Sequence, residues 1–239
     1  MFIEDPASYA LFLDLDGTLI DIASEPHLVT IPPDLVPLLS RVSACLDGAL
    51  AIVSGRTIKE IDHFLYPLRP VVAGVHGAEM RTEVDGDVLL TVGPLDPAVE
   101  AAVSRLSALA PGVLIEHKIH TIAVHFRLAP EAEPGIEAEL KQIVAGSPDH
   151  FILAPGRCVI EVVPRHVSKG AALEAFMGLQ TFKGRVPIMI GDDLPDETAL
   201  EAAERLGGRG LRVAGEHFNQ GADFNGPAEV RAWLASVAG

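Results

Sequence analysis

The chain has 239 residues, enough for one large domain or for a core with a smaller partner domain. Hydrophobic residues make up 49% and charged residues 21%, which excludes global disorder. The net charge of −15 repels phosphate backbones and anionic lipid, so neither nucleic acid nor a membrane is an expected partner, though a local cationic pocket for a small anion is compatible with it.

The first elements read as βαβαβ. Tyr9 to Leu13 is a short apolar run that ends at acidic residues and a glycine. From Asp34 to Leu46, Leu35, Leu38, Leu39, Val42, Cys45 and Leu46 form one helical stripe, with Gly48 as its stop. Ala49 to Val53 is a second buried strand, broken at Ser54-Gly55. Thr57 and Glu60 make a capping box that opens a helix with Ile58, Ile61 and Leu65 inward, ending near Pro67. Val71 to Val75 is a third buried strand. Alternation of this kind gives an α/β fold whose parallel sheet is covered on both faces.

Beyond it the pattern changes. Asp85-Gly86 suits a type I′ hairpin turn. Helix 96–109, strands 113–117 and 121–128, helix 134–144 and strands 151–153 and 158–163 about Pro155-Gly156 then give helix-strand-strand twice. An antiparallel sheet with helices on one face fits that order, hence a separate small α+β domain. The first pattern resumes with helix 169–177, buried strand 186–190 and helix 195–206. The expected organisation is a core over 1–95 and 166–239, interrupted by an insertion over 96–165.

Two acidic motifs stand out. Asp14 and Asp16 lie at the end of a buried strand, where period 2 puts them on the same side. Like charges in low dielectric need a cation, a shared proton or hydrogen bonds. An EF-hand loop counted from Asp14 fails, because Leu19 stands where glycine is required. Asp192, Asp193 and Asp196 follow the run Ile188 to Ile190; capping accounts for Asp196 but not for Asp192 and Asp193 at a strand exit. Acids at two strand exits of one parallel sheet would converge at its C-terminal edge, where such folds bind ligands, and their oxygen-only donor set suits Mg²⁺. Ser54, Gly55 and Arg56 follow the second strand and offer a hydroxyl and backbone N–H groups to an anion. Lys169 starts a helix after a Ser168 cap, against the preference of the macrodipole. Carboxylates, a metal, an anion cradle and a lysine together describe phosphoryl transfer through an aspartate.

These motifs, D14-L-D-G-T, V53-S-G-R, K169-G and G191-D-D-x-x-D, resemble the four motifs of the haloacid-dehalogenase-like phosphatase superfamily in their usual order. AIVSGRTIKEID, LRPVVAGVHGAEMR, the E116-H-K…H125-F-R segment, VIEVVPRHVSKGAAL and NQGADFNGPAEVRAWL are similar, more narrowly, to trehalose-6-phosphate phosphatases. The resemblance implies a Rossmann-like core with a C2-type cap as the insertion. It implies Asp14 as nucleophile, Asp16 as acid and base, and Mg²⁺ on Asp14, the Asp16 carbonyl and Asp192, supported by Asp193 and Asp196. Ser54, Gly55 and Lys169 would bind phosphate, while Arg56, His76, Glu116, Lys118 and Glu161 would bind the sugar. Pro195 and Arg157 depart from the pattern, which often has threonine and lysine there. An arginine fork in place of a point donor bears on sugar choice.

The expected activity is thus Mg²⁺-dependent hydrolysis of a small-molecule sugar phosphate, foremost trehalose 6-phosphate. Sucrose, glucosylglycerol or mannosylglycerate phosphates are alternatives that the cap would decide. A receiver-like phospho-accepting module shares the acids and the lysine, but Asp16 followed by Gly-Thr favours turnover. His117, His120 and His125 need not share a face and are not read as zinc ligands. Cys45 and Cys158 form no C-x-x-C pair, and the first residues show neither a basic nor an apolar leader segment. The expectation is a cytoplasmic monomer.

Overall fold

A computed structural model describes residues 5–23, 29–147, 150–219 and 221–239. Gln220 of the closing motif lies outside them. The chain divides into two compact units, Met1–Leu90 with Ser168–Gly239, and Thr91–Val167.

The first unit holds a seven-stranded sheet in the order β11-β10-β1-β2-β3-β4-β5. Its strands are β1 (Tyr9–Leu13), β2 (Leu50–Val53), β3 (Val71–Gly74), β4 (Glu79–Arg81), β5 (Leu89–Leu90), β10 (Val186–Gly191) and β11 (Arg209–Arg212). The five from β11 to β3 are parallel; β4 and β5 add antiparallel. Leu11, Phe12, Leu13, Ile52, Val53, Ile188 and Ile190 are all buried, as strands covered on both faces require. The helices of this unit are α1 (Leu35–Cys45), α2 (Ile58–Phe64), α5 (Lys169–Met177), α6 (Glu197–Arg205) and α7 (Pro227–Val237), and they cover both faces of the sheet. Thr57 and Glu60 form the capping box of α2 that the sequence predicts. From β1 the chain builds outward to β3 on one side and returns to β10 on the other. The reversal of order therefore falls between β1 and β10, where open α/β sheets leave a crevice at the carboxyl ends of their strands.

Several local expectations are corrected. Glu79 pairs with Leu90 and Met80 with Leu89, so the hairpin has a wide loop and no two-residue turn. Asp85 has φ 61 but Gly86 lacks positive φ, which rules out type I′. Pro195 sits in a short 3₁₀ turn, Leu194–Asp196, ahead of α6. Strand β11 and helix α7 have no counterpart in the sequence reading; β11 is four residues with arginine at both ends and gives no apolar run.

The second unit holds a four-stranded antiparallel sheet, β6-β7-β9-β8, with β6 (Leu114–His117), β7 (Ile122–His125), β8 (Phe151–Gly156) and β9 (Val159–Pro164). Helices α3 (Pro97–Ser104) and α4 (Glu133–Ala145) complete it. Ile122, Val124, Ile160 and Val162 share one apolar cluster with Val99 and Val103 of α3 and Ile136 and Leu140 of α4. Period 2 then sends Ala123 and Glu161 to the opposite face. The turn between β8 and β9 falls at Arg157-Cys158, two residues later than Pro155-Gly156 implies, because Gly156 still pairs with Val159. Strand β7 is also shorter than the predicted 121–128.

Candidate active site

The loop that leaves β1 carries the first acids. The Asp14 N–H donates to the Ile190 carbonyl at 3.0 Å, extending the ladder toward β10 by one bond. The chain then turns: Leu19 and Ile20 amides both return to the Leu15 carbonyl, and Gly17 adopts φ 82. A Cβ on Gly17 would stand 2.0 Å from Asp192 Oδ2, so glycine is required by both backbone and space. Within this loop the two carboxylates take different partners. Asp14 Oδ1 accepts from Lys169 Nζ at 2.7 Å. Asp16 instead accepts from Arg56 Nε at 2.5 Å and Nη2 at 2.6 Å. Arg56 is itself held over the Phe64 ring at 4.8 Å and lies 3.8 Å from Glu60. Against the cost of burial, the hydrogen bond and charge of Asp16 raise its pKa above the ordinary arginine value.

The second acidic group leaves β10. Asp196 Oδ2 accepts from the amides of Asp192 and Asp193, and its Oδ1 accepts from Lys169 Nζ at 2.6 Å. Asp193 is half-buried and accepts from the Leu194 amide, capping the 3₁₀ turn. Thr18 Oγ1 donates to Asp192 Oδ1 at 2.9 Å, a contact that joins the two loops. Lys169 is buried between Asp14 and Asp196. Burial works against its charge, but those two carboxylates hold its ammonium well above the usual lysine range.

Asp14, Asp192 and Asp196 each place a carboxylate oxygen within 4.8 Å of the others, and all three are buried. Three carboxylates against one ammonium leave two negative charges in low dielectric. Burial and then the Asp196 charge push Asp14 well above the usual carboxylate range, against the pull of Lys169. The same two causes push Asp192 up to about 7. A buried, oxygen-only cluster with excess negative charge fits a hard divalent cation. The Asp16 carboxylate does not belong to this cluster, and Asp196, read from sequence as outer support, does.

Ser54 follows β2 and is buried; its hydroxyl accepts from the Arg56 amide at 3.2 Å, so that N–H is engaged within the turn. A Cβ on Gly55 would meet the His76 ring at 2.8 Å, so the glycine lets the imidazole close on this turn. His76 adopts φ 57, and its amide donates to the Ser54 carbonyl. Ser54, Gly55, Arg56 and His76 are thereby one packed group beside the exits of β2 and β3.

In the second unit, Lys118 Nζ donates to Glu161 Oε1 at 3.1 Å. Glu116 Oε2 lies 2.8 Å from His125 Nε2. His117 faces Glu100, and His120 Nδ1 faces the Gly93 carbonyl, so the three histidines turn to separate partners.

Residues 12–223 match the sequence profile of the trehalose-phosphatase family. The trehalose-6-phosphate phosphatase of Escherichia coli (strain K12) is 36% identical over 233 residues, covering 97% of this chain and 87% of that protein. This chain belongs to the trehalose-phosphatase family. A solved structure described as a trehalose-6-phosphate phosphatase related protein agrees, with a TM-score of 0.72 at 26% identity over 96% of both chains. A haloacid dehalogenase-like hydrolase from Bacteroides thetaiotaomicron has a TM-score of 0.70 at 16% identity, covering 96% of this chain and 99% of that one, and shares the fold.

Sequence reasoning gave no role to Thr18, Thr121 or His125. Thr18 had a signal, its place directly after Asp-Gly in the first motif, but a hydroxyl's partner 174 residues away leaves no local trace.

Proposed function

We propose that this trehalose-phosphatase family member hydrolyses trehalose 6-phosphate through Asp14. The Asp14 carboxylate attacks phosphorus, the bond from phosphorus to the sugar oxygen breaks, and Asp16 gives that oxygen its proton. Asp16 then takes a proton from water as the water's oxygen attacks the aspartyl phosphate, releasing phosphate and restoring Asp14. Mg²⁺, bound by Asp14, the Asp16 carbonyl and Asp192 with Asp193 and Asp196 in support, would neutralise charge on the phosphoryl oxygens when present. Ser54, Gly55 and Lys169 bind the phosphate. Arg56, His76, Glu116, Lys118 and Glu161 bind or frame the sugar, with the insertion as the cap that selects it.

The observation that carries this reading is Asp14 itself: a buried carboxylate at the exit of β1, fixed by Lys169 inside an acidic cluster with unbalanced charge. The test is phosphate release from a panel of sugar phosphates, with and without Mg²⁺. Trehalose 6-phosphate should give the highest kcat/KM, and removal of Mg²⁺ should abolish it; preference for a sucrose or glucosylglycerol phosphate would overturn the substrate. The reading extends to a cytoplasmic monomer, and size-exclusion chromatography checks the monomer.

Two further results are expected. Lys118→Met should lower kcat/KM for trehalose 6-phosphate by about tenfold or more, the loss of a charged hydrogen bond. Its effect on p-nitrophenyl phosphate, which has no sugar, should be less than about twofold; equal losses on both substrates would reject the sugar-binding role.

The second expected result concerns pH. Asp192 is raised from 3.8 to about 7 in the fold, so its ionisation costs stability. That cost is absent below the unfolded value and complete once pH has risen through the folded one. A bound cation removes it by pairing with the ionised form. The rise in Tm on adding Mg²⁺ should therefore be larger at about pH 8.5 than at about pH 6. An equal rise at both pH values would contradict the assignment of Asp192 as a ligand.

A further inference from the structure

The sheet of the second unit places three residues in one row. Glu116 of β6 pairs with Ala123 of β7, and Ala123 pairs with Glu161 of β9. Directly opposed residues share a face, here the face turned away from α3 and α4. Each carboxylate is held by a residue of the central chain segment two positions from Ala123. The Thr121 hydroxyl donates to Glu161 Oε1, the oxygen that also accepts from Lys118 Nζ at 3.1 Å. On the other side, His125 Nε2 lies 2.8 Å from Glu116 Oε2. These are the diagonal neighbours of an antiparallel ladder, within reach of polar side chains of this length. Thr121 is fully buried, so its hydroxyl has no solvent competing for it. The hydrogen bond from His125, outweighing burial, lowers the Glu116 pKa below the usual glutamate value.

We propose that Thr121 and His125 are positioning residues that hold Glu161 and Glu116 as oriented acceptors for sugar hydroxyl groups. The inference rests on the sugar-phosphatase reading above. Two donors on Glu161 Oε1 fix the plane of that carboxylate, and His125 fixes one oxygen of Glu116. A ligand hydroxyl then meets an acceptor already in place, and binding avoids the entropy of ordering two glutamate side chains. Ala123 belongs to the same device: its single methyl group between the two carboxylates leaves room for both diagonal hydrogen bonds. A bulkier residue there would press on both networks.

The test compares Thr121→Val, Thr121→Ser and His125→Phe in the full chain, on trehalose 6-phosphate and on p-nitrophenyl phosphate. Thr121→Val keeps the shape of threonine and removes its donor. It should raise KM for trehalose 6-phosphate by about tenfold with kcat within about twofold, while p-nitrophenyl phosphate kinetics stay at the parent values. Thr121→Ser should restore the parent KM, because the hydroxyl returns. His125→Phe should act in the same direction through Glu116. In an E161A background, which removes the acceptor, Thr121→Val should add no further rise in KM, since it acts through Glu161. Equal losses on both substrates, no rescue by serine, or additive effects with E161A would overturn the proposal. The parent protein separates this from the function: if it hydrolyses another sugar phosphate of the panel and not trehalose 6-phosphate, the substrate reading fails and the same variants are read on that substrate. A parent that hydrolyses p-nitrophenyl phosphate but no sugar phosphate overturns both.

Discussion

Asp14→Asn should abolish phosphate release, by about 10⁴-fold or more, without loss of stability. The amide has almost the shape of the carboxylate but no charge with which to attack phosphorus. In most buried sites, removing one partner of an ion pair destabilises the fold. Here the balance differs. Asp14 shares its surroundings with Asp192 and Asp196, and one lysine opposes all three. Burial and the neighbouring acids outweigh Lys169 and push the Asp14 carboxyl well above its ordinary range, so its ionised form is held at a cost. The amide removes that cost and leaves Lys169 paired with Asp196. A metal-free thermal melt should show a Tm for the variant equal to or above that of the parent, alongside a phosphate assay at background. A clear fall in Tm would mean that the acids are balanced in the parent, which would remove the case for a cation. Near-parental turnover would remove Asp14 as nucleophile.

The parts of this arrangement that were legible from sequence are those written in short-range pattern. The runs of β1, β2, β3 and β10 are continuous and apolar, and three of them end at residues that break a covered strand, Asp14, Ser54 and Asp192, while β3 stops one residue short of the predicted Val75, which has φ 48. The place of α2 follows from the Thr57–Glu60 box alone. What the pattern cannot carry is direction after a strand has ended. Asp14 and Asp16 are two residues apart, yet Asp16 goes to Arg56 and its carboxylate is not part of the acidic cluster. For Asp196, which the resemblance implies as support for a metal, the contact with Lys169 was not legible for a different reason. An acid in a first helical turn has a sufficient local explanation, and Asp196 does accept from two amides there, but its other oxygen reaches Lys169. The hairpin at Asp85-Gly86 shows the reverse case, a strong local signal overruled by the pairing of Glu79 with Leu90. In the second unit, Thr121 and His125 escaped notice because each acts on a residue fixed only by strand register.

Lys169→Met should have the opposite effect on stability from Asp14→Asn. It removes the ammonium that contacts Asp14 and Asp196, leaving the buried acids with no compensating charge from α5. Deleting one partner of a buried pair costs about 3–5 kcal/mol, and here one deletion breaks two pairs. The midpoint of urea unfolding should fall accordingly in metal-free buffer, and the fall should shrink when Mg²⁺ is added. Phosphate release should drop by about 10²–10³-fold even in saturating Mg²⁺, because the cation does not supply the hydrogen-bond donor that Lys169 directs at the nucleophile and its phosphate. The two variants together test one quantity, the sign of the excess charge around Asp14. If subtracting a negative charge stabilises and subtracting the positive one destabilises, the site carries more negative charge than its fold can satisfy, and a divalent cation is the partner that its geometry requires. If both variants destabilise alike, Lys169 already balances the acids, and its role reduces to that of an ordinary buried ion pair.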